Sequence, residues 1–107
     1  MIHWARVQEL KEEIGEEDFS DVAEVFLEEV EEALERLKTS GRGENLEADL
    51  HFLKSSSLNL GFVEMAAICA AGERAAAEGR GDSVDLEAIF VAFDESKAAF
   101  LEGQRMN

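Results

Sequence analysis

The segment Leu50-His51-Phe52-Leu53-Lys54-Ser55-Ser56-Ser57-Leu58-Asn59-Leu60-Gly61-Phe62, read with Leu46 just upstream, decides both the fold class and the place where chemistry lies. Projected at about 100° per residue, Leu46, Leu50, Leu53, Ser57 and Leu60 fall within an arc of roughly 80°, none more than about 40° from Leu46. They form the inward stripe of a helix that stops at Gly61. His51, Lys54, Ser55 and Leu58 fall elsewhere, centred at about 140°, 80°, 180° and 120° from Leu46. The histidine is therefore on a wet face, with a cation one turn along and an exposed leucine two turns along.

Outward from this segment, apolar spacing at three and four predicts five helices separated by glycines. A short first helix covers about residues 2 to 13, with Val7, Leu10 and Ile14 on one side. After Gly15 a long helix runs to about Thr39, its stripe passing through Phe19, Val22, Phe26, Val30, Ala33 or Leu34, and Leu37. The third runs from about Glu44 to Leu60, the fourth from about Val63 to Glu78, and the fifth from Ser83 to about Glu102. The fifth is expected to bury Leu86, Ile89, Phe90, Phe93, Ala98 and Leu101, with Asp82 or Ser83 as its cap. Gly41-Arg42-Gly43-Glu44 and Gly79-Arg80-Gly81-Asp82 read as two instances of a tight helix-to-helix turn whose residues tolerate positive φ. Short turns make neighbours antiparallel. The expected fold is all-α: an antiparallel up-and-down four-helix bundle with a short additional N-terminal helix, one domain over residues 1–107.

Composition agrees with that reading and removes several functions. The chain has 107 residues, 46% of them hydrophobic, and no proline. That is enough apolar material for one core. Its 25 acidic residues outnumber 10 basic ones, for a formal charge of −15. Such a field repels nucleic acid and anionic lipid, so neither is expected as a partner. No apolar run approaches the roughly 20 residues of a spanning helix, and the N-terminus lacks the apolar core of a signal peptide. A cytoplasmic, monomeric protein is expected. Cys69 lies among Ala66, Ala67, Ala70 and Ala71 and reads as a small core filler. Glu24, Glu28, Glu31, Glu32 and Glu35 read as the solvated face of the long second helix.

The wet patch has a chemical logic. A neutral imidazole is nucleophilic near neutral pH, since its ordinary pKa of about 6.5 leaves much of it uncharged. His51 can therefore attack phosphorus. The Lys54 ammonium can reach the oxygens of a phosphoryl group on that ring, and Leu58 offers an apolar anchor to a docking protein. Counting past the turn at Gly61 brings the Gly72-Glu73 region to the height of His51. Glu73 either accepts a hydrogen bond from Nδ1–H, leaving Nε2 as the nucleophile, or points into solvent. No G-x-x-x-x-G-K-[ST] loop or G-x-G-x-x-G is present, so the chain has no nucleotide site from which to phosphorylate itself. A carboxylate-bridged metal bundle would need Glu-x-x-His pairs, but Ala48 stands where that glutamate belongs and His3 is remote, so no metal ligands are expected.

These residues resemble the signature of histidine-containing phosphotransfer (HPt) domains, His-x-Leu-Lys-Gly-Ser-Ser/Ala-x-x-Leu-Gly. His51, Leu53, Lys54, Ser56, Ser57, Leu60 and Gly61 match it position by position. Helix order and length match as well, so the resemblance covers nearly the whole chain. It implies His51 as phosphoacceptor, Lys54 as the neighbouring cation, and a glutamate or glutamine on the next helix at the place of Glu73. It also implies that donor and acceptor are aspartyl-phosphate receiver domains of response regulators and a hybrid histidine kinase, with Mg²⁺ supplied by the partner and no cofactor in this chain. Such a chain relays phosphoryl groups without autonomous kinase activity. Ser55 departs from the family, which has glycine there to let the partner approach closely. Ser55 and Leu58 are thus expected to touch the partner, and Gly72 is expected to make compensating room beside His51. The alternative is a non-catalytic helical module that docks on a receiver or kinase.

Overall fold

In the computed structural model, which describes residues 2–40 and 45–106, the regular structure consists of helices: α1 at Trp4–Ile14, α2 at Glu16–Ser40, α3 at Leu46–Leu60, α4 at Val63–Ala77 and α5 at Leu86–Met106. One turn of 3₁₀ helix at Gly81–Ser83 precedes α5, and an isolated antiparallel bridge joins Ile2 to Phe62. The described residues contain no β-strand and no helix long and apolar enough to cross a membrane.

The turn between α3 and α4 sets the register on which the site depends. Gly61 adopts φ 76° and ψ 18°, a left-handed conformation open to glycine without steric cost. Its N–H reaches the Leu58 carbonyl at 3.2 Å, and the N–H of Phe62 reaches the Ser57 carbonyl at 2.8 Å. This is a Schellman ending, which satisfies carbonyls that the last turn would otherwise leave bare. The N-terminal segment closes over it: the His3 N–H donates to the Gly61 carbonyl at 2.7 Å. A Cβ on Gly61 would sit 2.7 Å from the His3 carbonyl oxygen, so close packing as well as φ demands glycine.

Beyond this turn α3 and α4 lie side by side, with α2 against α3 and α5 against α4. Leu50, Leu53, Leu60, Met65, Cys69 and Ile89 are wholly buried between them. The expected α3 stripe, Leu46, Leu50, Leu53, Ser57 and Leu60, is buried throughout, and Ser56 joins it. Phe100 braces this turn end, stacking on Trp4 at 6.2 Å and meeting the edge of Phe62 at 5.7 Å. Such aromatic pairs add about 1 kcal/mol beyond the area they bury.

Several expectations are corrected. The fifth helix starts at Leu86, not Ser83, and its cap is Asp85, whose Oδ1 accepts the Ala88 N–H at 3.0 Å. The cause lies in Val84, which is buried and extended (φ −70°, ψ 128°) and interrupts the helical path. Ser83 instead donates its hydroxyl to the Arg80 carbonyl at 2.7 Å. With the helix set from Leu86, Ala92, Ser96 and Phe100 turn inward, while Ala98 and Leu101 are exposed. On α2, Ala23 and Leu27 are buried and Val22 and Phe26 only half so. The Gly41-Arg42-Gly43-Glu44 turn lies outside the described residues, as does the expected start of the third helix at Glu44. In its counterpart, Gly79 takes a positive φ of 78°, whereas Gly81 opens the 3₁₀ turn against Leu46.

Candidate phosphoacceptor site

The α3 helix carries His51, Lys54, Ser55 and Leu58 on its outer side because its leucines occupy the inner one. The His51 side chain is 62% exposed and Leu58 52%, while Ser55 is also exposed and Lys54 is half-buried. Across the groove, α4 directs Met65, Cys69 and Gly72 inward. Glu73, next in sequence to Gly72, then falls at the border with α3.

There its carboxylate is used twice. Glu73 Oε2 lies 2.7 Å from His51 Nδ1, and Oε1 lies 2.7 Å from Lys54 Nζ. The Lys54 ammonium first, and His51 second, hold the Glu73 carboxyl below the usual carboxylate range. An ionised carboxylate can only accept, so the shared proton belongs to Nδ1. The neutral ring then carries its lone pair on Nε2, which has no protein partner among the described residues and faces solvent. The arrangement suits nucleophilic attack from Nε2, and it gives any positive charge that develops on the ring a carboxylate already in contact.

The structure brings His51, Lys54 and Glu73 into one cluster, with Ser55 and Leu58 beside them on α3 and His3 at the turn with Gly61. The pairing of Lys54 with Glu73 was not anticipated. The signal was available: a glutamate able to reach His51 is also within reach of the residue three positions on, which shares its helix face. The expectation for Gly72 is corrected. A Cβ there would meet Leu50 Cδ1 at 3.2 Å and Val84 Cγ1 at 3.3 Å, so the glycine makes room for those two side chains and not for His51. Also unforeseen is Arg6 of α1, which donates to Asn59 Oδ1 at 3.1 Å and ties the first helix to the last turn of α3. Cys69 lies one turn before Glu73 on the buried side, where desolvation pushes its thiol up to about 12.

The sequence model of the Hpt domain matches residues 21–102. The chain belongs to the Hpt domain family. Hpt domains carry phosphoryl groups on histidine in phosphorelays and interact with receiver domains and kinases. The match begins within α2 and covers most of α2 to α5, while α1, the helix bearing Arg6, precedes it. Comparison with curated proteins and with solved structures returns no match.

Proposed function

We propose that His51 Nε2 accepts a phosphoryl group from an aspartyl phosphate of one receiver domain and passes it to the aspartate of another. The observation that carries this reading is the Glu73 carboxylate 2.7 Å from His51 Nδ1, with Nε2 left to solvent. In the forward step the Nε2 lone pair forms a bond to phosphorus as the aspartyl oxygen–phosphorus bond breaks. The electron pair of that bond returns to the aspartate. The ring, now bearing both Nδ1–H and the phosphoryl group, is cationic, and Glu73 offsets that charge. Lys54 swings its ammonium toward the phosphoryl oxygens. The receiver supplies the acidic pocket and Mg²⁺. Ser55 and Leu58 meet the partner's surface, Leu58 as the apolar anchor and Ser55 as the residue that limits how closely it seats. This role fits a cytoplasmic monomer of one domain, its four long helices running alternately up and down and α1 across one end.

The test is incubation with a phosphorylated receiver domain. Label stable to alkali and lost in acid should appear on the wild type and be absent from His51→Gln. Equal label on both proteins, or none on the wild type with several donors, would replace the relay with the docking module.

A further inference from the structure

Away from His51, α2 and α5 enclose a groove of about 650 Å³ to which neither α3 nor α4 contributes. Its floor is apolar, formed by Phe19, Ala23, Leu27 and Phe100, with the exposed Leu101 at its lip. Glu24, Glu28 and Glu31 line one wall. Of these, Glu31 is paired with Lys97, whereas Glu24 and Glu28 have no cationic partner among the described residues. Glu32 and Glu35 prolong the same acidic edge, and neither forms an ion pair among the described residues, although Lys38 lines the adjoining hollow with Glu35. Carboxylates at spacings of three and four on one helix repel each other, a cost that an arriving cation removes. Gln104 lines the groove too, and its buried Nε2 lacks an acceptor among the described residues. Glu24, Glu28, Glu32 and Glu35 are exposed, as expected, whereas Glu31 is half-buried beside Lys97, and the edge they form borders an apolar trough.

We propose that this groove is a second docking site that takes a basic amphipathic helix from a partner protein. The stretch from Phe19 to Glu31 is about 18 Å long at 1.5 Å per residue. It matches the apolar stripe of a helix with anchors at i, i+4, i+7 and i+11. Leucines of the incoming helix lie against Phe19, Ala23, Leu27 and Phe100, and its lysines and arginines meet Glu24 and Glu28. Charge decides among the occupants: a second copy of this chain brings −15 of its own, and an anionic membrane is repelled for the same reason. Because α3 and α4 contribute nothing to the groove, a helix seated there leaves His51 open to a receiver. The proposal stands whether or not His51 transfers phosphate.

The experiment is fluorescence anisotropy with the full chain and three labelled 18-residue peptides, each about 27 Å long as a helix and so able to span the groove with about a turn to spare at each end. The first carries leucines on one face and lysines on the rest. The second replaces leucine by serine, and the third replaces lysine by glutamate. Only the first should bind tightly, and Glu24→Lys with Glu28→Lys should weaken it about tenfold. Glu64→Lys with Glu87→Lys, which changes net charge equally on exposed positions outside the groove, should leave binding nearly intact. Equal loss in both double variants, or equal binding of the leucine and serine peptides, would show attraction to net charge alone and overturn the proposal. So would absence of binding, or amide-exchange protection centred on α3 instead of α2 and α5.

Discussion

With Oε1 on Lys54 and Oε2 on His51, the Glu73 carboxylate holds both partners with a single side chain. Glu73→Ala frees the imidazole to exchange tautomers and leaves Lys54 unpaired. Phosphorylation of His51 by a given receiver should slow by about tenfold to a hundredfold, the range felt when the group orienting an imidazole is lost. Single-turnover transfer at fixed receiver concentration measures it. The same contacts make stability depend on pH. Lys54 and then His51 lower the Glu73 pKa in the folded protein, so the group's contribution is fully present above its unfolded value of about 4.3. It is lost as pH falls through the lower, folded value. Thermal unfolding from about pH 7 down to about pH 3 should therefore show the gap between wild type and Glu73→Gln closing at the acid end. A gap that stays constant would mean the pairing contributes nothing to the folded state.

At the scale of helices, the α3–α4 turn controls whether His51 and Glu73 meet. Gly61→Ala places a Cβ 2.7 Å from the His3 carbonyl and in a left-handed conformation. Left-handed φ costs a non-glycine residue about 1–2 kcal/mol, and displacing His3 adds to it. The variant should lower the unfolding midpoint by several degrees and weaken amide protection in the N-terminal segment; an unchanged midpoint would refute the account. At the other junction, Asp85→Ala should cost about 1 kcal/mol in denaturant unfolding, as loss of a helix cap does, whereas Ser83→Ala should cost less. These two junctions also show what was legible in the residues alone. The leucine period of α3 and the glycine at its end placed His51, Lys54 and Leu58 outward without any structure. Counting across the turn reached Glu73 but left its direction open, because side-chain direction depends on packing that spacing does not encode. The start of α5 was misread because nothing local marks Val84 as buried; its burial comes from Gly72, a residue distant in sequence. Gly72 in turn was assigned to His51 because its neighbours Leu50 and Val84 lie across two interfaces.

For the molecule as a whole, a formal charge of −15 means that folding gathers like charges into a small volume. Added salt screens that repulsion within about 10 Å at 0.1 M. The thermal midpoint should rise when ionic strength is increased from a few millimolar to about 0.2 M, and a fall would show that the few ion pairs outweigh the general repulsion. The N-terminal helix offers a second whole-molecule reading. Trp4 is the only tryptophan, and a Cβ on Gly103 would lie 2.1 Å from its ring. Gly103→Ala should therefore push the indole off Phe100 into water and shift its emission to the red. The accompanying change in stability should be small, since alanine recovers about 1 kcal/mol of helix propensity. Unchanged emission would place Trp4 elsewhere.

The burial of Cys69 has a practical side. A wholly buried thiol held up at about 12 is almost entirely protonated at pH 8, so maleimides and iodoacetamide should leave the folded chain unmodified. A cysteine introduced at Ser55 or Leu58 would then be the sole reactive thiol, and a dye placed there would report a partner's arrival on one face without any change to the native sequence elsewhere.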